Sequence, residues 1–261
     1  MSTMSYALRD SAAMLRRDVR HALRYPMMTL SGIGVPIVLL LLFVGVFGHA
    51  LHAGLGVVTA AGGRYIDYLA PGIIVMTAGT AAPATAIAVC MDMNEGIIAR
   101  FRTMAITRTS VLTGLVLGSL ARTMVSGVLV VGVAVGLGFR PTASPVEWVA
   151  AAGLFALLTL ALTWLGVAFG LVATTPAGAN SLSLIPEFLP FISSAFVPAA
   201  SMPSGVGWFA RNQPFTPVIE ALRGLLTGAP VGHSALLAVA WCAALAAGGY
   251  LWARARYDRD R

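Results

Sequence analysis

The residues that could do chemistry in this chain are few, and most of its charges are arginines at the ends of apolar segments. Only 10% of the 261 residues are charged, and the sequence contains no lysine. The phosphate-binding loop GxxxxGK[ST] requires a lysine, so the sequence does not contain this motif. The sequence also lacks the HExxH and GxSxG motifs of zinc proteases and serine hydrolases. We therefore expect no catalytic, cofactor or metal site in this chain.

Two charged residues lie inside apolar segments, where ionisable side chains are candidates for function. Glu187 stands between two prolines in the sequence IPEFLPF. A functional role in a translocation path, such as handling a proton or cation, and a structural role, such as pairing with Arg122, are both open. Arg122 lies 11 residues into a long apolar run. The simplest interpretation is that its side chain extends to the lipid headgroups.

The charged sequence EGIIARFRTMAITRTS, residues 95–110, separates two long apolar runs. Asp92 followed by Glu95 resembles a helix capping box, with Asp92 as the cap. Ile97, Phe101 and Met104 share one face of the helix that would follow. We therefore predict an amphipathic helix over residues 92–105. Such a helix either covers the membrane surface or is the element on which a soluble partner pulls.

Long apolar runs predict helices that cross a membrane, because a bilayer core of ~30 Å needs about 20 apolar residues. The chain is 58% hydrophobic and its mean hydropathy is +0.84. Six runs qualify or nearly qualify: Met27–Phe47, Tyr68–Met91, Val111–Phe139, Trp148–Val172, Leu182–Ala200 and Ala235–Ala253. We predict an all-α membrane protein with six transmembrane helices, in which residues 27–261 form one membrane domain.

The distribution of arginine predicts the orientation of these helices. Twelve arginines lie before the first run, between the second and third runs, or after the sixth, whereas four lie in the other connections. Arginine accumulates on the cytoplasmic side of membrane proteins. Both termini and the patch at residues 95–110 are therefore predicted to be cytoplasmic. Topology also explains the net charge of +7 better than nucleic-acid binding does.

Two further helices are predicted at the membrane surfaces. Within residues 1–26, apolar residues at helical spacing over 5–24 predict an amphipathic helix in the headgroup plane. Between the fifth and sixth runs, Thr216 is placed as an N-cap, Pro217 as the first helical residue and Gly228 as a C-terminal stop. That second helix is too short to span a bilayer. It either lies flat or dips into the outer leaflet.

Two segments resemble permeases of the daunorubicin-resistance type, a branch of the type-two ABC exporters. GIIARFRTMAITRTSVL, residues 96–112, is similar to the segment after the second span of that family. Residues 191–228 are similar to its C-terminal signature, although PSGVGWF stands where relatives have a proline-glycine-tryptophan turn. The matching residues of this signature include Pro198, Pro203, Gln213, Pro214, Thr216, Arg223 and Gly228.

The resemblance implies a half-transporter of the cell membrane. A second permease, identical or homologous, would pair with this chain. Two separately encoded ATP-binding subunits would sit below the pair and carry the ATP and Mg²⁺. The exported compound would be hydrophobic or amphipathic: a drug, an antibiotic or a lipid. The alternative function is an ion-coupled secondary transporter that uses Glu187.

The resemblance also assigns roles to the two motifs. The helix between spans two and three would be the coupling helix. The segment between spans five and six would be a re-entrant hairpin on the extracytoplasmic face. The contacts with the ATPase would come from Glu95, Gly96, Ile97, Arg100, Phe101, Arg102, Met104 and Arg108.

Overall fold

The computed structural model describes residues 26–46, 64–95 and 108–259, and within these ranges the chain forms helices and turns without strands. The first four helices are α1 (Pro26–Gly45), α2 (Tyr65–Gly79), α3 (Ala81–Asn94) and α4 (Arg108–Gly136). They are followed by α5 (Pro145–Val172), α6 (Pro176–Phe188), α7 (Ser204–Asn212), α8 (Phe215–Thr227) and α9 (Ser234–Arg259). The predicted amphipathic helix over 5–24 lies outside the described residues.

Four helical segments of the described chain are long and apolar enough to cross a membrane. They are Tyr65–Asn94, Thr113–Gly136, Pro145–Val172 and Ser234–Arg256. The second, third, fourth and sixth predicted spans are thus confirmed as candidate spans, and the protein is an all-helical membrane protein. The first predicted span overlaps α1, in which the shorter stretch Ile33–Gly45 is apolar.

The fifth predicted span, Leu182–Ala200, is wrong as a single helix. α6 begins earlier, at Pro176, and ends at Phe188; a short 3-10 turn, Leu189–Ile192, follows it. The cause lies in Pro186 and Pro190, since each proline lacks the N–H that would continue the helical hydrogen bonds. Beyond residue 192 the chain leaves the helix and turns back towards α2.

The span Tyr65–Asn94 is bent at Thr80, which separates α2 from α3. Pro83 causes the bend, because it has no N–H to donate to the carbonyl of Gly79 four residues earlier. The Thr80 hydroxyl donates a hydrogen bond to the Thr77 carbonyl at 2.8 Å. The helical hydrogen-bond ladder is therefore interrupted between the two halves of this span.

The core is built around α2, α5 and α8. Leu69 and Ile73 of α2, Leu158 of α5, and Phe215 and Ile219 of α8 are among its fully buried side chains. In the span Tyr65–Asn94, 72% of the most apolar 18-residue stretch is buried inside the bundle. The corresponding share for Ser234–Arg256 is 17%. The bent span is therefore central, and α9 lies at the periphery of the bundle.

Helix ends follow local sequence signals at several positions. Ser144 caps α5, since its hydroxyl accepts a hydrogen bond from the Glu147 N–H at 3.4 Å and Glu147 accepts one from the Ser144 N–H at 2.6 Å. Gly228 has a φ of 71° and ends α8, as predicted. The N-cap prediction for Thr216 is wrong, because α8 begins at Phe215 and Thr216 lies inside its first turn.

Candidate functional site

Only the two ends of the charged patch lie within the described residues, where α3 ends and α4 begins. Glu95 is the C-cap residue of α3 and Arg108 is the first residue of α4. The capping-box interpretation is wrong, because Asp92 lies in the last turn of α3 rather than before a new helix. Residues 96–107, which include Gly96, Ile97, Arg100, Phe101, Arg102 and Met104, lie outside the described residues. Their contact with an ATPase stays a prediction.

The helix that leads into the patch is fixed closely to α5. A Cβ on Gly166 would lie 2.5 Å from the Ala82 carbonyl oxygen, and one on Gly170 would lie 2.6 Å from the Ala86 carbonyl oxygen. Such distances leave no room for a side chain, so the two backbones touch. A displacement of α3 therefore carries α5 with it.

Polar contacts reinforce this attachment near the patch. The Asn94 amide donates a hydrogen bond to the Thr174 carbonyl at 3.3 Å, and the Cys90 thiol donates one to the Ala173 carbonyl at 3.4 Å. Both acceptors lie just after α5, in the connection to α6. The end of α3 is therefore tied to the α5–α6 connection as well as to α5.

At the opposite end of the bundle, α7 and α8 form a hairpin that is held by Arg223. We call this the hairpin end. The Arg223 guanidinium donates hydrogen bonds to the Ser194 carbonyl at 2.8 Å and to the Tyr68 carbonyl at 3.2 Å. Its carbon atom Cζ lies 3.7 Å from the centre of the Tyr68 ring. One side chain of α8 thus joins α2 and the turn after α6.

Two tyrosines of α2 complete this network. The Tyr68 hydroxyl donates to the Ser194 carbonyl at 2.9 Å, and the Tyr65 hydroxyl donates to the Phe196 carbonyl at 3.3 Å. One turn below Tyr68, a Cβ on Gly72 would lie 2.8 Å from the Ala195 backbone. The turn at 193–196 therefore rests directly on α2, and side chains of α2 and α8 pair with the carbonyls of Ser194 and Phe196 and with the Ser194 N–H.

The start of α8 is fixed to the same turn by two residues of the C-terminal motif. The Gln213 amide donates to the Ile192 carbonyl at 2.9 Å, and the Thr216 hydroxyl accepts from the Ser194 N–H at 3.3 Å. Pro214 is the N-cap residue of α8. Pro198 directly precedes the 3-10 turn Ala199–Ser201, and Pro203 directly precedes α7. The predicted hairpin residues thus gather at one end, where Gln213, Thr216 and Arg223 make the specific contacts.

A second group of charges at the hairpin end joins α2 to the loop after α4. Arg64 donates a hydrogen bond to the Gly138 carbonyl, and the Arg140 N–H donates to Asp67 at 3.3 Å. Sequence reasoning used Arg64 and Arg140 only to count charges. It missed Tyr65, Tyr68 and Ser194 altogether, and of these only Ser194 lies within the segment of the C-terminal motif.

The structure does not bring Glu187 and Arg122 together. Glu187 is half-buried on α6, where its backbone lies 3.7 Å from a Cβ placed on Gly79 at the bend of the central span. Arg122 is exposed on α4. Within the described part of the chain they form no ion pair with each other, and any role of either residue in a translocation path stays a prediction.

Comparison with known proteins agrees with the sequence motifs. Residues 10–227 match the ABC-2 type transporter family. The chain is 25% identical over 205 residues to the daunorubicin resistance ABC transporter permease protein DrrB1 of Streptomyces coeruleorubidus. That alignment covers 78% of this chain and 70% of the relative.

A second relative is also named as a drug-resistance ABC transporter permease. The chain is 27% identical over 209 residues to the probable doxorubicin resistance ABC transporter permease protein DrrC of Mycobacterium tuberculosis, strain H37Rv, covering 80% of this chain and 75% of that protein. The family match extends from before α1 into α8 and includes both the patch and the hairpin. These observations confirm the resemblance seen in the sequence: the chain is a membrane permease that belongs to the ABC-2 type transporter family.

Proposed function

We propose that this chain is the membrane subunit of an ATP-driven exporter of a hydrophobic or amphipathic compound in the cell membrane. The family match over residues 10–227, with drug-resistance permeases among the relatives, carries the proposal. Membership of this family implies association with an ATP-binding subunit. Two such subunits would bind ATP and Mg²⁺ and would drive a pair of permeases, identical or homologous.

The attachment of α3 supports a lever at the patch. A soluble ATPase that moves residues 95–108 pushes on the end of α3 and the start of α4. Because α3 touches α5 through Gly166 and Gly170, that push displaces α5 too. Force applied at the patch therefore reaches three spans at once, which suits a rocking motion of the whole subunit.

The hairpin suits the role of an outer rim. Arg223, Tyr68 and the turn at 193–196 hold α8 against α2, so the short helices move with the upper half of the central span. With the patch in the cytoplasm, as the arginine distribution predicts, this rim faces the extracytoplasmic side. Export would then proceed from the patch end towards the hairpin end.

The central experiment is co-purification of the permease with its ATP-binding subunit, comparing Phe101→Ala with Phe209→Ala. Phe101 is the largest apolar side chain of the patch, and truncating such an anchor costs about 2 kcal/mol, a roughly 30-fold loss of affinity. Phe209 lies on α7, at the hairpin end, and is exposed. It is the matched control for loss of one aromatic ring.

We expect Phe101→Ala to release the ATPase or to uncouple ATP hydrolysis from transport, while Phe209→Ala keeps both. Daunorubicin is the first compound for stimulated hydrolysis and vesicle uptake, because one relative is named for resistance to it. Normal coupling in Phe101→Ala would refute the lever. Transport driven by an ion gradient without ATP would refute the exporter and favour the ion-coupled alternative.

A further inference from the structure

The bundle contains an apolar pocket that the transport function does not explain. It has a volume of about 190 Å³ and lies between α2, α4, α5 and α8. Its walls include Ile74 of α2, Phe155 of α5 and Leu222 of α8, all of which are buried. Every side chain that lines it is apolar. An apolar pocket of this kind takes hydrocarbon rather than water.

The pocket opens sideways, between two spans. Val128 of α4 and Trp148 and Ala152 of α5 also line it, and all three are exposed; Val128 is 69% accessible. An exposed apolar face of a spanning helix meets lipid tails. The mouth therefore faces the hydrocarbon of the bilayer.

The depth of the pocket corresponds to one leaflet. Trp148 is the fourth residue of α5, and Phe155 lies ten residues after the first residue, Pro145, which is ~15 Å along the helix. On α4, Met124 lies 12 residues from the end at Gly136, or ~18 Å. Half of a bilayer core is ~15 Å. The pocket thus runs from the headgroup boundary at the hairpin end to about the middle of the membrane.

The size of the pocket distinguishes between occupants. A volume of about 190 Å³ is below the range of roughly 300–1,000 Å³ that holds drug-sized compounds. It exceeds the ~150 Å³ of an apolar cavity that accepts a benzene-sized group. A narrow, flexible hydrocarbon chain therefore fits the recess. The flat face of a neighbouring helix would leave it empty, and the free-energy cost of an empty cavity grows with the volume of the cavity.

The absence of a side chain at Gly127 helps to shape this space. A Cβ at this position would lie 2.7 Å from the Phe155 ring, so glycine lets the ring approach α4 closely. Because both residues line the pocket, a larger residue at 127 would displace the ring from its present place in the wall.

We propose that this recess between α4 and α5 is a binding site for one acyl chain of a lipid in the leaflet at the hairpin end. The chain enters past Val128 and Ala152, with the Trp148 ring near the headgroup boundary, where tryptophan is favoured. The site is separate from the proposed coupling at the patch and does not depend on ATP.

The test uses the full-length chain in nanodiscs of phosphatidylcholine that contain a small fraction of phosphatidylcholine with a diazirine on one acyl chain. After irradiation, peptide mass spectrometry locates the labelled residues. We expect labelling of 124–131 and 148–155 that saturates as the probe fraction rises. Labelling of the exposed residues Leu236 and Val239 of α9 should rise in proportion to the probe. Saturation is the signature of a site, so proportional labelling everywhere would overturn the proposal.

Two variants sharpen the result. Ala152→Phe fills the mouth and should reduce pocket labelling about tenfold, the loss expected when roughly two methylene groups are no longer buried. Ala150→Phe, at an exposed position of the same helix that does not line the pocket, should leave the labelling unchanged. Equal labelling of the two variants would refute the site, as would displacement of the lipid probe by daunorubicin, which would make the recess a compound site. Neither result bears on ATP-driven transport, whose test is separate.

Discussion

Replacing Arg223 tests whether the hairpin is held by one side chain. Arg223→Gln removes two hydrogen bonds from a charged donor and the contact with the Tyr68 ring. Hydrogen bonds to charged groups are worth about 1.5–3 kcal/mol each, and a cation–π contact about 0.5–2 kcal/mol. The Ser194 carbonyl keeps a second donor, the Tyr68 hydroxyl, so it is not left unpaired. We therefore expect a loss of about 2–4 kcal/mol, below the sum of the three contacts.

The assay is thermal unfolding of the purified permease in detergent, followed by intrinsic fluorescence. For a chain of this size 1 kcal/mol corresponds to about 2–4 °C, so Arg223→Gln should lower Tm by about 4–16 °C. Tyr68→Phe loses one neutral hydrogen bond but keeps its ring, and should lower Tm by only about 2–4 °C. Arg223→Lys should fall between them, because lysine keeps the charge but lacks the planar fork.

Arg211→Gln is the matched control, since Arg211 is an exposed arginine on α7 of the same hairpin. Surface changes of this kind stay within about 0.5 kcal/mol. If Arg223→Gln and Arg211→Gln unfold at the same temperature, Arg223 does not hold the hairpin, and the contacts with Tyr68 and Ser194 carry no net stability.

Three further outcomes are expected. Gly166→Ala should destabilise the protein by about 1–3 kcal/mol in the same assay, because the new Cβ would collide with the Ala82 carbonyl. Gly153→Ala is the control on the same helix: its Cβ would meet nothing within 4 Å, so it should not destabilise the protein. Glu187→Gln should assemble with the ATPase and transport normally, since Glu187 forms no ion pair in the described chain; loss of transport with an intact complex would assign it a function. In a cysteine-free background, a membrane-impermeant maleimide added outside should label Ser204→Cys and not Thr174→Cys, and the reverse would invert the topology.

The sequence predicted the spans well because bilayer thickness fixes their length and composition. All four confirmed spans have bounds within a few residues of those expected, and Gly228 ends α8 as its position after an apolar helix indicated. The prediction of the fifth span was wrong because hydropathy takes no account of the backbone hydrogen bonds that a helix needs. Pro186 and Pro190 were visible in the sequence, but the apolar run around them outweighed their effect on the helix.

The hairpin site was predictable only in part. Arg223, Gln213 and Thr216 were found through the family motif, which says nothing of their partners. Tyr68 lies 155 residues from Arg223, and Ser194 lies 29 residues away. Contacts at such separations depend on how α2, α8 and the turn after α6 pack, and neither periodicity nor local capping rules contain that information.

The bend at Thr80 gives the central span two different sets of neighbours. Below the bend, α3 packs chiefly on α5 and α6, with Gly166 and Gly170 against its backbone. Above the bend, α2 packs on α1, α4 and α8 and is joined to the hairpin through Tyr68. Because Pro83 leaves the Gly79 carbonyl without its helical donor, bending at this point breaks fewer backbone hydrogen bonds than it would in an uninterrupted helix. If the proposed lever moves α3, the interruption at Thr80 allows α2 and α3 to tilt by different amounts, while α5, which packs on both α3 and α8, carries part of the motion to the hairpin end.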